Sequence, residues 1–311
     1  MRRSVSPAPN SLNMPTPIEA LASDPGLFCP DDSQRLEARP DDLSCGLCHR
    51  RFPIHDGAIV ELLPREATPL DETVPSSYRR AYLAEFKRPF KLEPRAMAWS
   101  SPETLPGRLV QRRRRQARWY VSLLSEGAAL GETILCDFSA GHGTYTLDHA
   151  SRFRLVMHCD LSVDSLNYAR AKALAMGIRN AAFLRIDYFR PPFRASLARI
   201  VCCDTLIRGI SHDQLLLISI RNSLRRDGIA LVDFHNWWHN PLRRMGLLAQ
   251  NFGDNASYSR GEVKRLLKGL QIAEYDALRF RQEFDPFGLL GKSLGRFVPA
   301  TRFVYRVKPD A

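Results

Sequence analysis

The sequence predicts an open, mostly parallel α/β sheet preceded by a small cysteine-bearing module. Three observations predict it. From Glu132 onward, short apolar runs alternate with helical stretches, the rhythm of βαβ units. Four successive runs end in aspartate, at Asp137, Asp160, Asp187 and Asp204. Far upstream, Cys45 and Cys48 form a Cys-x2-Cys pair, with Cys29 on its N-terminal side.

Residues 1 to about 25 carry Pro, Ser and Asn without an apolar period and read as a disordered lead-in. Residues 26–64 form the module, 65–130 a basic helical segment, and 131–311 the main domain. In the basic segment, Tyr78, Tyr82 and Phe86 recur at helical spacing and place three rings on one face, for packing on the main domain first and a substrate role second. A helix follows over 109–124. Its first half holds Arg112, Arg113, Arg114, Arg115 and Arg118, and its second half Trp119, Tyr120, Leu123 and Leu124. A solvated helix end and a phosphate-contacting patch for RNA are both open readings of the arginines.

The main domain opens on a strand over 133–137 and a helix over 143–151. A second strand spans 155–160 and a helix 163–176, closed by Gly177 as a left-handed cap. Strands at 182–187 and 200–204, a helix over 214–224 and a strand at 229–234 continue the pattern. Ser259 and Glu262 have capping-box spacing before a helix through Leu270, and 272–277 and 303–307 read as closing strands.

Composition narrows the class. The 311 residues are 44% hydrophobic and 25% charged, an ordinary globular mix. No window approaches the ~18 uninterrupted apolar residues of a membrane span. The basic start lacks the apolar stretch of a signal peptide. Seven cysteines, two of them adjacent at Cys202 and Cys203, fit a reducing cytoplasm better than a disulfide scaffold. The net charge of +12 favours acidic partners without choosing among nucleic acid, anionic lipid and phosphorylated substrates.

The informative stretch is Asp137-Phe138-Ser139-Ala140-Gly141-His142-Gly143, where the first strand turns sharply. Small residues there let a ligand approach the backbone, and a following helix offers free N–H groups. Asp160, 17 residues past Gly143, suits two ribose hydroxyls. The turn lacks the third glycine expected at a dinucleotide pyrophosphate, which favours a cofactor without phosphates.

Over residues 132–234 these features resemble the class I S-adenosylmethionine-dependent methyltransferases, which implies a Rossmann-like open sheet. By that resemblance Asp137, Ser139, Gly141 and Gly143 form the first motif, with Ser139 where the family carries its first glycine. Asp160 is the ribose acid with Leu161 beside the adenine. Asp187, followed by Tyr188, meets the adenine amino group, and Asp204 lies beside the methionine part and the acceptor. Leu224-Arg225-Arg226-Asp227-Gly228 resembles the Leu-x-Pro-Gly-Gly turn before the fifth strand.

In the module, Cys29, Asp32, Cys45 and Cys48 have the spacing of two zinc knuckles with one ligand changed, and His49 or His55 are alternatives to Asp32. The module resembles the zinc ribbon that precedes the catalytic domain of some ribosomal RNA guanine methyltransferases. A zinc there is structural, because ~40 residues bury too little to hold a fold without a staple.

Candidate bases follow the fourth and fifth strands: His235 first and His212 second, with His239, Trp237 and Trp238 nearby. A small-molecule acceptor such as a quinone, lipid or other metabolite is the leading expectation. An RNA acceptor and an inactive cofactor-binding scaffold remain as alternatives.

Overall fold

In a computed structural model, residues 16–93, 107–125, 129–236, 257–268, 270–279 and 300–309 are described. The module contributes β1 (Leu36–Ala38), β2 (Asp42–Cys45), β3 (Arg51–His55) and β4 (Ile59–Leu62). The main domain contributes β5 (Ile134–Phe138), β6 (Leu155–Asp160), β7 (Ala181–Ile186), β8 (Leu197–Cys202) and β9 (Leu224–Asn236). β10 (Ser257–Tyr258), β11 (Leu270–Arg279) and β12 (Ala300–Pro309) complete it. These twelve form one sheet in the order β1-β2-β3-β4-β7-β6-β5-β8-β9-β12-β11, with β10 beside β9. β4 to β9 run parallel, and β12 lies antiparallel between β9 and β11. The central strands are buried end to end, as expected for a sheet covered on both faces.

The helices are α1 (Pro17–Ser23), α2 (Ser76–Lys87), α3 (Gly107–Ser125), α4 (Val163–Ala175), α5 (Ile210–Ser223) and α6 (Arg260–Leu266). Gly177 takes a left-handed φ of +66° just past α4, and Ser259 and Glu262 close a reciprocal capping box on α6. On α3 the buried side includes Ala117, Tyr120, Val121 and Leu124, while Arg114, Arg115 and Arg118 face solvent. The side chains of Arg112 and Arg113 lie outside the described residues, as do Trp237, Trp238 and His239.

Three expectations are corrected. The disordered lead-in expected over residues 1 to about 25 does not extend over 17–23, where Thr16 and Glu19 form a capping box and Ile18 and Leu21 of α1 are fully buried; residues 1–15 lie outside the described residues. The 143–151 stretch is a series of turns running into a 3₁₀ segment at Leu147–Arg152 rather than an α-helix. Gly143, the first residue of that stretch, sits at positive φ, which no right-handed helix accommodates. The module is not a separate body: β4 pairs in parallel with β7, because Ile59, Val60 and Leu62 are fully buried and need a neighbour on the sheet.

β6 carries an unusual core residue. His158 is fully buried, its ring tilted against Phe183, and neither ring nitrogen has a hydrogen-bond partner among the described residues. Burial, aided by the positive charge of Lys172, pushes its pKa down to about 3, so it is neutral in the fold. The unfolded chain binds that proton near the ordinary value of 6.5, so the neutral form's contribution is complete above about 6.5 and is lost as pH falls toward about 3. His158→Leu is expected to remove up to ~1.4 kcal/mol per pH unit from the acid-side slope of stability. Urea midpoints of both proteins at pH 7, 5.5 and 4.5 check this, and parallel slopes would contradict it.

Candidate functional site

The site is set by topology. From β5 the chain moves outward through β6 and β7, then returns to place β8 on the other side of β5. The loops leaving β5 and β8 therefore diverge and open a crevice at the carboxyl edge, the usual ligand position in such sheets. Asp137 lies inside β5, Asp160 ends β6, and Asp187 and Asp204 follow β7 and β8.

The turn after β5 is held in an unusual backbone shape. Ser139, Gly141 and Gly143 have φ of +64°, +52° and +68°. A side chain on Gly143 would stand 2.7 Å from Leu147, so glycine is required there. Gly141 faces open space: a Cβ built on it meets nothing within 4 Å. Ser139 adopts the conformation that the family's glycine takes freely, at a cost of order 1 kcal/mol.

Asp160 anchors this turn. One carboxylate oxygen accepts the Gly141 N–H at 2.8 Å and the Ser165 hydroxyl at 2.9 Å. The other accepts the Ser162 N–H at 2.9 Å, which leaves it capacity for a further donor such as a ribose hydroxyl. Burial raises the Asp160 pKa against the pull of these donors. Asp137 is more exposed to that penalty. Its Oδ2 is buried without a partner among the described residues, and burial, then the charge of Asp160, push its pKa well above the ordinary range. A buried acid with an orphan oxygen beside open backbone is built for a donor, best a cationic one.

Asp187, expected at an adenine amino group, directly follows β7. It is fully buried, and Thr68 Oγ1 (2.7 Å), Tyr82 Oη (2.8 Å) and the Phe189 N–H (3.0 Å) already donate to it. Thr68 and Tyr82 come from the basic segment, over a hundred residues upstream, so the acid ties α2 to the sheet. Leu161 is buried, and its carbonyl accepts from Arg185 Nε at 3.1 Å. The Tyr188 hydroxyl meets that of Tyr78 on α2.

On the far side of the crevice, Asp204 has a left-handed φ of +59° and a half-exposed side chain. His235 Nε2 lies 3.0 Å from its Oδ1, and Arg302 on β12 bridges it to buried Asp233. Desolvation works to raise the Asp204 pKa, but the Arg302 guanidinium and His235 outweigh it and hold the carboxyl far below its usual range. The Tyr120 hydroxyl donates to Asp233 at 2.9 Å. His212 is fully buried, between Tyr78 Oη at 2.9 Å from Nε2 and Asp213 Oδ1 at 3.0 Å from Nδ1. Sequence reasoning read Tyr78 as packing first and a substrate role second, and missed Asp213, Asp233, Tyr258 and Arg302. The adjacent His212-Asp213 pair was the one local signal; Arg302 offers none, being brought in by strand order alone.

In the module, the ligand atoms of Cys29, Asp32, Cys45 and Cys48 all lie within 4.8 Å of one another, and neither His49 nor His55 belongs to the group. The Cys29 and Cys48 sulfurs are 3.7 Å apart. Sulfurs ~2.3 Å from a tetrahedral zinc stand about 3.8 Å from each other, so the four donors suit that ion. His55 instead packs its ring on Phe90.

No protein-family model matches the chain, and no curated protein matches it in sequence. Solved structures do match. Magnesium protoporphyrin IX methyltransferase from Synechocystis PCC 6803, crystallised with bound S-adenosylhomocysteine, is similar at 14% identity and a TM-score of 0.51, over 76% of this chain and 95% of that one. Geranyl diphosphate C-methyltransferase from Streptomyces coelicolor A3(2), crystallised with Mg2+, geranyl diphosphate and S-adenosylhomocysteine, is similar at 13% identity and a TM-score of 0.51, over 78% and 90%. The chain has the class I methyltransferase fold.

Two outcomes are expected. Ser139→Gly relieves a strained φ and should leave S-adenosylhomocysteine affinity within about threefold by calorimetry; a tenfold loss would make the hydroxyl a ligand. The purified protein should carry about one zinc per chain by elemental analysis, and Cys45→Ser should lower both zinc content and melting temperature. A zinc-free protein whose stability is unchanged by Cys45→Ser would contradict the metal assignment.

Proposed function

We propose that this chain is an S-adenosylmethionine-dependent methyltransferase acting on a small-molecule acceptor. The observation that carries the reading is the unpartnered, buried Asp137 oxygen beside the open backbone of Gly141. When bound, the cofactor supplies an electrophilic sulfonium methyl. Asp137 and the turn at 139–143 hold its cationic amino-acid end, and Asp160 takes the ribose through the oxygen not committed to Gly141. Asp187 takes Thr68 and Tyr82 on one oxygen, and its other oxygen, which accepts the Phe189 N–H, keeps capacity for the adenine amino group.

The acceptor class follows from what covers the crevice. Helix α2 runs across the carboxyl edge: Tyr82 reaches Asp187 after β7, Glu85 accepts the Val163 N–H at the start of α4, and Arg88 pairs with Asp164 at 2.7 Å. A roof of this kind excludes water and favours an acceptor that fits beneath it. The two similar structures act, by their names, on a porphyrin and on geranyl diphosphate, both small molecules. An RNA acceptor rests on Arg114, Arg115 and Arg118, which are exposed on α3 rather than on the roof. Seven cysteines without a disulfide support a reducing cytoplasm as the reaction's compartment.

The test is binding. Calorimetry should give a one-to-one complex with S-adenosylhomocysteine, weakened at least ~30-fold in Asp160→Ala. The same variant should lose ~1–3 kcal/mol of stability, because the Gly141, Ser162 and Ser165 donors lose their acceptor. Undiminished affinity in a folded Asp160→Ala protein would overturn the ribose assignment.

A further inference from the structure

A chain of hydrogen bonds spans the crevice from the β7 side to the β8 side, and the reading above leaves it unused. Tyr188 follows β7, and His212 and Asp213 open α5 after β8. Between them in sheet order lie β6 and β5, whose ends carry Asp160 and the glycine turn. Tyr78 of α2 bridges the gap, its hydroxyl touching Tyr188 Oη on one side and His212 Nε2 on the other. The negative charges of Asp213, Asp187 and Asp160 all act on this phenol, as its position over the strand ends requires.

The direction of the chain is determined by its far end. Asp213 also accepts the Ile207 N–H at 3.1 Å on Oδ1 and the Tyr258 hydroxyl at 2.5 Å on Oδ2. A carboxylate oxygen that already takes the Ile207 N–H is an acceptor, which assigns the His212 tautomer with Nδ1–H toward Asp213 and leaves Nε2 as an acceptor. The Tyr78 hydroxyl therefore donates to Nε2, and its oxygen accepts from Tyr188. A phenol whose proton already points at a base has an oxygen ready to receive another proton. The rings of Tyr78 and Phe189 stand edge-to-face against the buried His212 ring.

We propose that Tyr78 is the catalytic group that takes the acceptor's proton, with His212 as its relay partner and Asp213 as a positioning residue. The inference rests on the methyltransferase reading and narrows its substrate class to acceptors with a removable proton on oxygen or nitrogen. The acceptor's lone pair forms the bond to the methyl carbon, and the carbon–sulfur bond breaks with its electron pair kept by sulfur. The acceptor's proton moves to the Tyr78 oxygen as the Tyr78 proton moves to His212 Nε2. The imidazolium so formed faces Asp213, which stabilises it.

The test needs no known acceptor. Sinefungin carries an amine where the cofactor carries the transferred methyl, so its ammonium reports on whatever faces that methyl. Calorimetry of the full chain should show sinefungin bound at least tenfold more tightly than S-adenosylhomocysteine. In Tyr78→Phe that preference should fall to within threefold of unity, while S-adenosylhomocysteine affinity stays within threefold of the unaltered chain. A preference that survives in Tyr78→Phe, or that is absent from the unaltered chain, would overturn the proposal. Failure of both ligands to bind would instead overturn the cofactor reading on which it rests. If Tyr78→Phe does not fold, nitrogen-15 histidine spectra of the unaltered chain decide. The His212 signals, identified by their loss in His212→Gln, should differ between the two complexes, and identical signals would overturn the relay.

Discussion

Two buried charges at the end of one strand dictate where the roof of this molecule lies. Arg185 and Asp187 leave β7 almost without solvent contact, and a charge so placed must be paired and hydrogen-bonded or the fold does not form. Arg185 reaches Glu61 of the module at 2.5 Å, the Leu161 carbonyl, and the Glu85 carbonyl of α2 at 2.6 Å. Asp187 takes Thr68 and Tyr82 from the same upstream segment. The module, the strap that follows it and α2 are thus held against the sheet at one point. Everything proposed for the crevice, from its enclosure to the placement of Tyr78, depends on that attachment.

The electrostatics of the two banks differ in a way that suits a cationic ligand. On the β5–β6 side, Asp160 has backbone and hydroxyl donors and Asp137 has an unpartnered oxygen, neither has a basic hydrogen-bond partner among the described residues, and burial raises both pKa values. On the β8–β9 side, Arg302 neutralises Asp204 and Asp233, with His235 beside them. The uncompensated acids therefore face the glycine turn, where a positively charged amino-acid tail would approach. The overall charge of +12 has little part in this, because the arginines seen on α3 are solvated.

Much of the fold was legible in the sequence, and the reason is periodicity. The central strands, the Gly177 cap and the Ser259–Glu262 box are local patterns, and each forms where the residues indicate. The glycine turn and Asp160 were legible as well, because spacing along a βαβ unit is a near-range property. The tie of Asp187 to α2 was not legible, for the opposite reason. Its partners sit over a hundred residues away, and no local pattern announces that a tyrosine of an upstream helix will consume an acid at a strand end. The helix expected over 143–151 failed because Gly143, at its first position, takes a left-handed φ. The module's fusion with the sheet follows from apolar residues on β4 that a separate small domain would have left uncovered.

The central claim is that an S-adenosyl ligand sits at the carboxyl edge, on the 139–143 turn and beneath α2. Hydrogen exchange with and without S-adenosylhomocysteine tests it most directly. The account predicts slowed exchange in three stretches together, residues 139–143, 160–165 and 76–88, with the module unchanged. Protection confined to other parts of the chain, or none at saturating ligand, would contradict it.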